Sequence, residues 1–378
     1  MEKKKSKDQV GVKFSQTDFT KIPWDDIEMV GQWTMLHRDL FNVSWLLGRY
    51  CNYSCSYCWP YASTKKKDWR SEDLVLLTIE EIKRQARERG FNSFHFSFSG
   101  GEPTVVPTLI PLLDNLREDI GNCNWLSTHL TSNISRKMKW WEEYCQLTKD
   151  FHRVSITASY HKEHINTPEK RADFADKLEY LQSQDVQVTV NSVMIPERFD
   201  HLWEDANYFH ERKINVTLKP QSDPTASFVV DGYTDEMMNI LHNGLPQQDF
   251  TERKRQVVRP TSKFPRMKAI DGQHYQIEMQ DKDGKTWRLD QAERFNSFGF
   301  NKFKGWDCSS GYRSIIIREP DGSIKRSYSC SDEPLGYINK GFRLFDSPMP
   351  CITDSCVSSA DSKIPKRKPS SNADLWSS

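Results

Sequence analysis

From residue 42 to about 221, short apolar runs alternate with longer amphipathic ones. The short runs predict strands at 42–48 (NVSWLLG), 93–99 (SFHFSFS), 126–132 (LSTHLTS), 153–158 (RVSITA), 186–194 (VQVTVNSVM) and 214–219 (INVTLK). The stretches between them space apolar residues as a helix does, as with Leu74, Leu77, Ile79 and Ile82, or Phe174, Leu178 and Leu181. Six β-α units follow. Strands joined through helices form parallel sheets, because a parallel pair needs a crossover long enough to return the chain. An open doubly wound sheet and a partial barrel both fit, and in either one ligands sit at the C-terminal ends of the strands.

Past residue 221 the pattern changes. Residues 222–305 mix helical and extended pieces, with prolines at 224, 246, 260 and 265. SIIIRE and SIKRSYS then flank Pro320-Asp321-Gly322, a hairpin turn signal. The expected organisation is an N-terminal extension (1–41), a β-α core (42–221), a connecting region (222–305), a small appendage (306–361) and a polar tail (362–378). The tail and roughly the first twenty residues are expected to be mobile.

Lysine plus arginine (53) nearly balance aspartate plus glutamate (52), so no global field points to nucleic acid. The basic runs Lys65-Lys66-Lys67, Arg253-Lys254-Arg255 and Lys366-Arg367-Lys368 read as solvated surface, with phosphate contact the alternative. The basic N-terminus lacks the apolar core of a signal peptide, and no stretch is apolar enough to cross a bilayer. A cytoplasmic protein with no membrane partner is expected. In a reducing compartment the nine cysteines are metal ligands, catalytic groups or core thiols rather than disulfides.

Directly after the first strand comes Cys51-Asn-Tyr-Ser-Cys55-Ser-Tyr-Cys58. Three soft thiolates this close can converge on one metal centre. A four-iron cluster held by only three cysteines leaves one iron open, the mark of a catalytic metal site. The alternatives are a structural zinc site completed by a histidine, the nearest being His37 and His95, and three unrelated thiols. Ser99-Gly100-Gly101-Glu102-Pro103 ends the second strand. Paired glycines let backbone amides approach a ligand, and the glutamate offers a carboxylate for an ammonium group.

On Cys51, Cys55 and Cys58, Tyr57 before the third cysteine, and Gly100-Gly101-Glu102-Pro103, the sequence resembles the radical S-adenosylmethionine superfamily. The resemblance implies an α/β fold, a partial (β/α)6 TIM-like barrel. It also implies a [4Fe–4S] cluster on the three cysteines, whose fourth iron is chelated by S-adenosylmethionine. Cleavage of the sulfonium would then give a 5′-deoxyadenosyl radical that takes a substrate hydrogen. Thr131-Ser132-Asn133 looks like the family's Thr-Asn-Gly position, with Ser132 inserted and Ile134 in place of glycine. Thr157 and Ser159 fall where a polar residue meets the ribose, and Asn191 and Lys219 are further candidate cofactor contacts. Tyr160 and His161 are candidate proton donors or acceptors near the substrate. Each of these strand-end residues also reads as an ordinary polar loop residue.

Cys308, Cys330, Cys351 and Cys356 bracket the expected hairpin. Four thiols complete a closed cluster or a structural zinc site. With Phe303-Lys-Gly-Trp306 and Leu335-Gly336-Tyr337-Ile338 they resemble the small α+β "twitch" appendage, a shortened SPASM domain that binds one auxiliary [4Fe–4S] cluster. The Cys351-x4-Cys356 spacing departs from the commoner Cys-x2-Cys. Cys123 and Cys145 read as core thiols. The expected activity is a radical oxidoreductase giving a net oxidation or cross-link on a peptide or small metabolite, with an electron donor such as flavodoxin or ferredoxin. The alternatives are radical modification of a nucleoside, nucleic acid or sugar, and a non-enzymatic iron–sulfur or zinc scaffold. With only about forty residues before the first strand, no leader-peptide domain is expected, which counts slightly against a peptide.

Overall fold

The computed structural model describes residues 21–36, 39–58, 64–67, 69–224, 228–244, 277–289, 299–319, 321–330 and 333–369. The first twenty residues, 370–378 and Arg253-Lys254-Arg255 lie outside them, and the expectations about those segments with them. Strand β1 (Ile27–Gly31) and a helical turn, α1 (Trp33–Leu36), precede the core. The core strands are β2 (Leu40–Leu46), β3 (Ser93–Ser99), β4 (Trp125–Ser132), β5 (Arg153–Tyr160), β6 (Gln187–Met194) and β7 (Asn215–Pro220). They pair in parallel in that order. Between them run α2 (Glu72–Glu88), α3 (Leu109–Glu118), α4 (Met138–Thr148), α5 (Pro168–Ser183) and α6 (Phe199–Glu211), with α7 (Asp235–Asn243) after β7. The six β-α units expected from periodicity are present, within a few residues at each strand end.

Burial along the strands distinguishes the two faces of this sheet. Phe94, Phe96 and Phe98 on β3 are buried, as are Val154, Ile156 and Ala158 on β5. They share one cluster with Ile79, Leu112, Trp141 and Leu178 of the helices. The intervening residues, among them His95, Ser97, His129, Thr157, Thr189 and Asn191, are polar and only partly buried. A parallel sheet covered by helices on both faces has near-continuous apolar strands. Here the alternation leaves one face polar and, among the described residues, without helices, as the interior of a partial barrel requires. Among the described residues β7 has no strand partner beyond β6, so the barrel does not close. On α2, Val75, Ile79 and Ile82 face the sheet, whereas Leu77, expected on that face, is exposed.

The other edge differs from expectation. Strand β11 (Ser314–Arg318) pairs parallel to β2 and continues through β12 (Ser323–Lys325), β13 (Gly336–Tyr337) and β14 (Gly341–Phe342) as antiparallel extensions. The hairpin expected in the appendage therefore widens the main sheet. Ile315, Ile317 and Ile324 bury in the same cluster as Phe41 and Val43, which fixes the partner by apolar contact. The appendage has its own sheet, in the order β15 (Met349–Pro350), β10 (Asp307–Cys308), β16 (Lys366–Arg367), β1, β8 (Ile277–Asp281) and β9 (Thr286–Leu289). It draws on the expected N-terminal extension, connecting region and tail, so the boundaries at 41, 305 and 361 cut across one unit. Lys366, expected in a mobile tail and a solvated basic run, is 1% exposed.

The two faces of β3 should answer differently to truncation. Phe96→Ala removes a fully buried ring and is expected to cost about 3–5 kcal/mol, whereas Ser97→Ala, on the polar face, should stay within about 0.5 kcal/mol. Urea unfolding of the two variants measures the contrast; equal losses would contradict the assignment of faces.

Candidate metal and cofactor site

After β2 the chain crosses the C-terminal end of β3, and this crossing sets the cysteine loop. The Gly101 amide donates to Gly48 O at 2.9 Å, and the Glu102 amide to Tyr50 O at 2.8 Å. A Cβ on Gly101 would lie 2.1 Å from Tyr50 O and 2.5 Å from Arg49 O. On Gly100, whose φ is +127°, it would lie 2.3 Å from Gly48 O. The glycine pair was expected to admit a ligand; what it admits is the backbone leading into Cys51. Cys51, Cys55 and Cys58 follow on that loop, none of them in a disulfide.

Glu102 is almost fully buried, and its carboxylate accepts from Ser132 Oγ (2.8 Å), Asn133 N (2.7 Å), Thr104 N (3.1 Å) and Thr104 Oγ1 (2.6 Å). Burial raises its pKa, against the lowering by these four donors. The carboxylate expected to meet an ammonium group instead ties the end of β3 to the end of β4. Asn133 extends the tie, its Nδ2 donating to Asn52 Oδ1 of the cysteine loop at 2.9 Å. Ile134, where the resembled pattern has glycine, has φ +57°. A β-branched residue rarely adopts this region, and the Ile134 amide is held there by Ser132 Oγ at 3.0 Å.

The loop after β5 clasps the cysteine loop from the other side. Tyr57 OH and His161 Nδ1 share a hydrogen bond of 2.7 Å. The Ser54 amide donates to His164 Nε2 (3.1 Å), the Ser56 amide donates to Glu163 Oε2 (2.7 Å), and the Tyr53 ring stacks on His164 with centroids 4.0 Å apart. Glu163 and His164 were missed in the sequence; their only signal was adjacency to His161. Burial pushes the His161 imidazole down to about 4. Tyr160 does not join this group. It shares the apolar face of β5 with Ile156 and Ala158, its ring lies between Phe174 and Phe209, and its hydroxyl donates to Asp205 Oδ2 at 2.7 Å. Strand alternation thus removes it from the candidate proton-transfer pair.

Thr157, Ser159, Asn191 and Lys219 lie together on the polar face toward the C-terminal strand ends. Ser159 is in register with Asn191, and Lys219 pairs with Val193, two residues further along β6. Thr157 Oγ1 lies 3.2 Å from His129 Nε2, and His129 Nδ1 lies 2.9 Å from Ser155 Oγ. His95 Nδ1 bonds Ser127 Oγ at 2.8 Å, deeper on the same face, so it does not complete a zinc site with the cysteine loop; His37 lies outside the described residues. Burial pushes His95 down to about 3 and His129 to about 4, with the Arg153 guanidinium adding to both. The polar face therefore holds neutral imidazoles at neutral pH, and His129 is a third residue the sequence reading passed over.

The donor set on the loop fits an iron–sulfur cluster. Burial pushes the Cys55 thiol up to about 12, with Cys51 and Cys58 raising it further, so the three sulfurs influence one another. Donor atoms of Cys55, Glu163 and His164 also lie within 4.8 Å of one another. Glu163 and His164 are already engaged by the amides of Ser56 and Ser54, which leaves the thiols as the available soft ligands.

The appendage gathers the second set. Cys308 on β10 lies opposite Lys366 on β16. The Cys351 amide donates to Trp306 O (2.7 Å) and the Cys356 amide to Asn301 O (2.8 Å), fixing both beside the 301–308 segment. Burial pushes the Cys356 thiol up to about 12, with Cys308 and Cys351 among the groups acting on it. Cys330 follows Ser329, whose hydroxyl accepts from the Val357 amide next to Cys356 at 3.0 Å. Cys308, Cys351 and Cys356 share one buried cluster, and with Cys330 the four thiols, none in a disulfide, suit a closed four-iron site or zinc. Cys123 and Cys145 are buried.

An open parallel sheet with three cysteines on a loop at the C-terminal ends of its strands defines an α/β protein of partial-barrel type. Residues 45–209 match the model of the radical SAM superfamily, a span that contains the cysteine loop, the Gly100–Pro103 segment and β3 to β6. The chain carries a radical SAM domain, and that domain implies an enzyme using a [4Fe–4S] cluster and S-adenosylmethionine. No curated protein matches the chain. It is similar to solved structures described as "Native anSMEcpe with bound AdoMet" (12% identity) and "Native anSMEcpe with bound AdoMet and Kp18Cys peptide" (14%). In each case 79% of this chain and 78% of that chain are covered, with a TM-score of 0.43. At that score the fold assignment rests on the strand order itself. No helix among the described residues is long and apolar enough to cross a membrane.

Gly101→Ala is expected to leave the helices intact and displace the cysteine loop, so that iron bound at Cys51, Cys55 and Cys58 falls at least several-fold. Far-ultraviolet circular dichroism and iron analysis would show it; full iron in Gly101→Ala would contradict the docking. A second expectation concerns acid. His129 titrates near 4 in the folded chain against about 6.5 unfolded, so the unfolded state binds more protons in that window and His129's contribution to stability is lost as pH falls from about 6.5 to 4. His129→Gln should flatten the pH dependence of the urea midpoint over that range; an unchanged slope would contradict the neutral, buried imidazole.

Proposed function

We propose that this protein is a radical S-adenosylmethionine enzyme with one auxiliary [4Fe–4S] cluster, and that it oxidises or cross-links a peptide or small metabolite. The observation that carries the reading is the three-thiol loop seated on Gly100-Gly101 at the rim of a polar half-barrel. When bound, the cluster on Cys51, Cys55 and Cys58 and S-adenosylmethionine supply a 5′-deoxyadenosyl radical for hydrogen abstraction.

The remaining roles belong to the chain's own residues. Asn133 and Glu102 hold the loop that presents the thiols, and the Tyr57–His161 bond fixes the aromatic residue before Cys58. Thr157, Ser159, Asn191 and Lys219 offer polar groups to S-adenosylmethionine on the face that leads down from the cluster loop. Below them His129 and His95 are uncharged hydrogen-bonding groups toward a substrate. The uncharged imidazoles of His129 and His95 keep competing proton transfer away from a reactive carbon radical. The four appendage cysteines favour an oxidative outcome, because a fully ligated cluster can accept the electron left on the substrate, while an external flavodoxin or ferredoxin reduces the first site.

Reconstituted, reduced protein incubated anaerobically with S-adenosylmethionine should release 5′-deoxyadenosine, and Cys55→Ala should lower the yield at least a hundredfold. No product from a protein with an intact, reducible cluster would contradict the reading. Iron and sulfide should each number about eight per chain, falling to about four when Cys51, Cys55 and Cys58 are replaced by alanine. Zinc in place of the second four would remove the electron-acceptor role.

A further inference from the structure

We propose that Lys366 is a built-in counter-charge for the appendage cluster and holds its reduction potential up; the inference rests on the reading of Cys308, Cys330, Cys351 and Cys356 as an iron–sulfur site. Lys366 faces Cys308 directly across the β10–β16 pair. Directly opposed residues of an antiparallel pair have Cβ atoms about 4.5–5.5 Å apart, so the two side chains share one face. Lysine is almost never this deeply buried unless paired, yet Lys366 is 1% exposed.

Its ammonium is held by neutral acceptors, donating to Asp361 O at 2.6 Å and Ile364 O at 2.8 Å, and it lies 4.8 Å from the centre of the Phe303 ring. No carboxylate oxygen forms an ion pair with it among the described residues. The buried carboxylate of its neighbourhood, Asp361, is turned to the amides of Tyr328 and Ser329 and to the Ser329 hydroxyl. The groups left to balance the positive charge are the thiols of Cys308, Cys351 and Cys356, which lie in one buried cluster with Phe303.

A four-iron cluster with four thiolates is anionic, and one-electron reduction adds a further negative charge. A fixed cation beside it, shielded from water, stabilises the reduced form over the oxidised one and so raises the potential. An ionised Asp361 carboxylate, in the same buried neighbourhood, acts with the opposite sign. Position 366 therefore sets how readily the second site accepts an electron without ligating iron.

The test uses full-length protein in which Cys51, Cys55 and Cys58 are alanine, so that only the appendage site contributes, with EPR-monitored redox titration. Lys366→Met is expected to lower the midpoint by at least a tenfold change in the reduction equilibrium, about 59 mV for one electron. Lys366→Arg should stay near the parent value, and Asp361→Asn should move it upward. A Lys366→Met protein that holds its four irons at the parent potential overturns the proposal. If Lys366→Met assembles no cluster, the other two variants decide: an unmoved Asp361→Asn, or a Lys366→Arg that falls tenfold, overturns it. Metal analysis of the parent separates the two levels, since zinc without iron at this site removes the cluster reading itself and this inference with it.

Discussion

The close approach of two backbones, Gly48–Cys51 against Gly100–Glu102, is the constraint on which the site depends. Two amide–carbonyl hydrogen bonds hold them, and the spacing leaves no room for a Cβ on either glycine. Everything that would handle a cofactor is placed relative to that contact. Glu102, buried directly after the glycines, carries the connection to Ser132 and Asn133, and Asn133 returns it to Asn52. The loop after β5 completes the clasp through His161, Glu163 and His164. Three consecutive strand ends thus hold one irregular loop, so that its thiols are presented by a rigid sheet although they sit on no regular element.

The polar face extends this logic inward. Among the described residues helices cover only one side of the parallel sheet, and the inward positions of neighbouring strands place hydroxyls beside imidazoles: His95 with Ser127, His129 with Ser155 and Thr157. Satisfying those ring nitrogens locally lets the imidazoles stay uncharged on this face. The appendage contrasts with it. Its sheet is assembled from segments distant in sequence, the thiols of Cys308, Cys351 and Cys356 are buried, and a lysine rather than a neutral group lies beside them.

Much of the core was legible in the sequence because its signals are local. Six strands and their helices follow from apolar spacing within windows of a dozen residues, and the cysteine loop and glycine pair stand next to strand ends that the same spacing locates. What was not legible depends on partners far apart in the chain. The 314–325 hairpin is a clear local signal, but its sequence does not say that Ile315 and Ile317 pack beside β2 rather than in the appendage. Lys366 reads as one of three basic residues in a polar tail, and only pairing with Cys308, 58 positions earlier, makes it a buried residue. Tyr160 and His161 looked equivalent in sequence, and strand alternation sends one into the helix layer and the other toward Tyr57. Glu163 and His164 carried no pattern beyond their place in that loop.

The central claim is that the loop seated on the glycine pair holds a cluster with one iron open to S-adenosylmethionine. EPR of the reduced protein before and after S-adenosylmethionine is added tests it most directly. The account predicts that the signal assigned to Cys51, Cys55 and Cys58 changes shape and g values on addition, while the appendage signal does not. A reduced three-cysteine site whose spectrum is indifferent to saturating S-adenosylmethionine, or one that holds zinc, would contradict it.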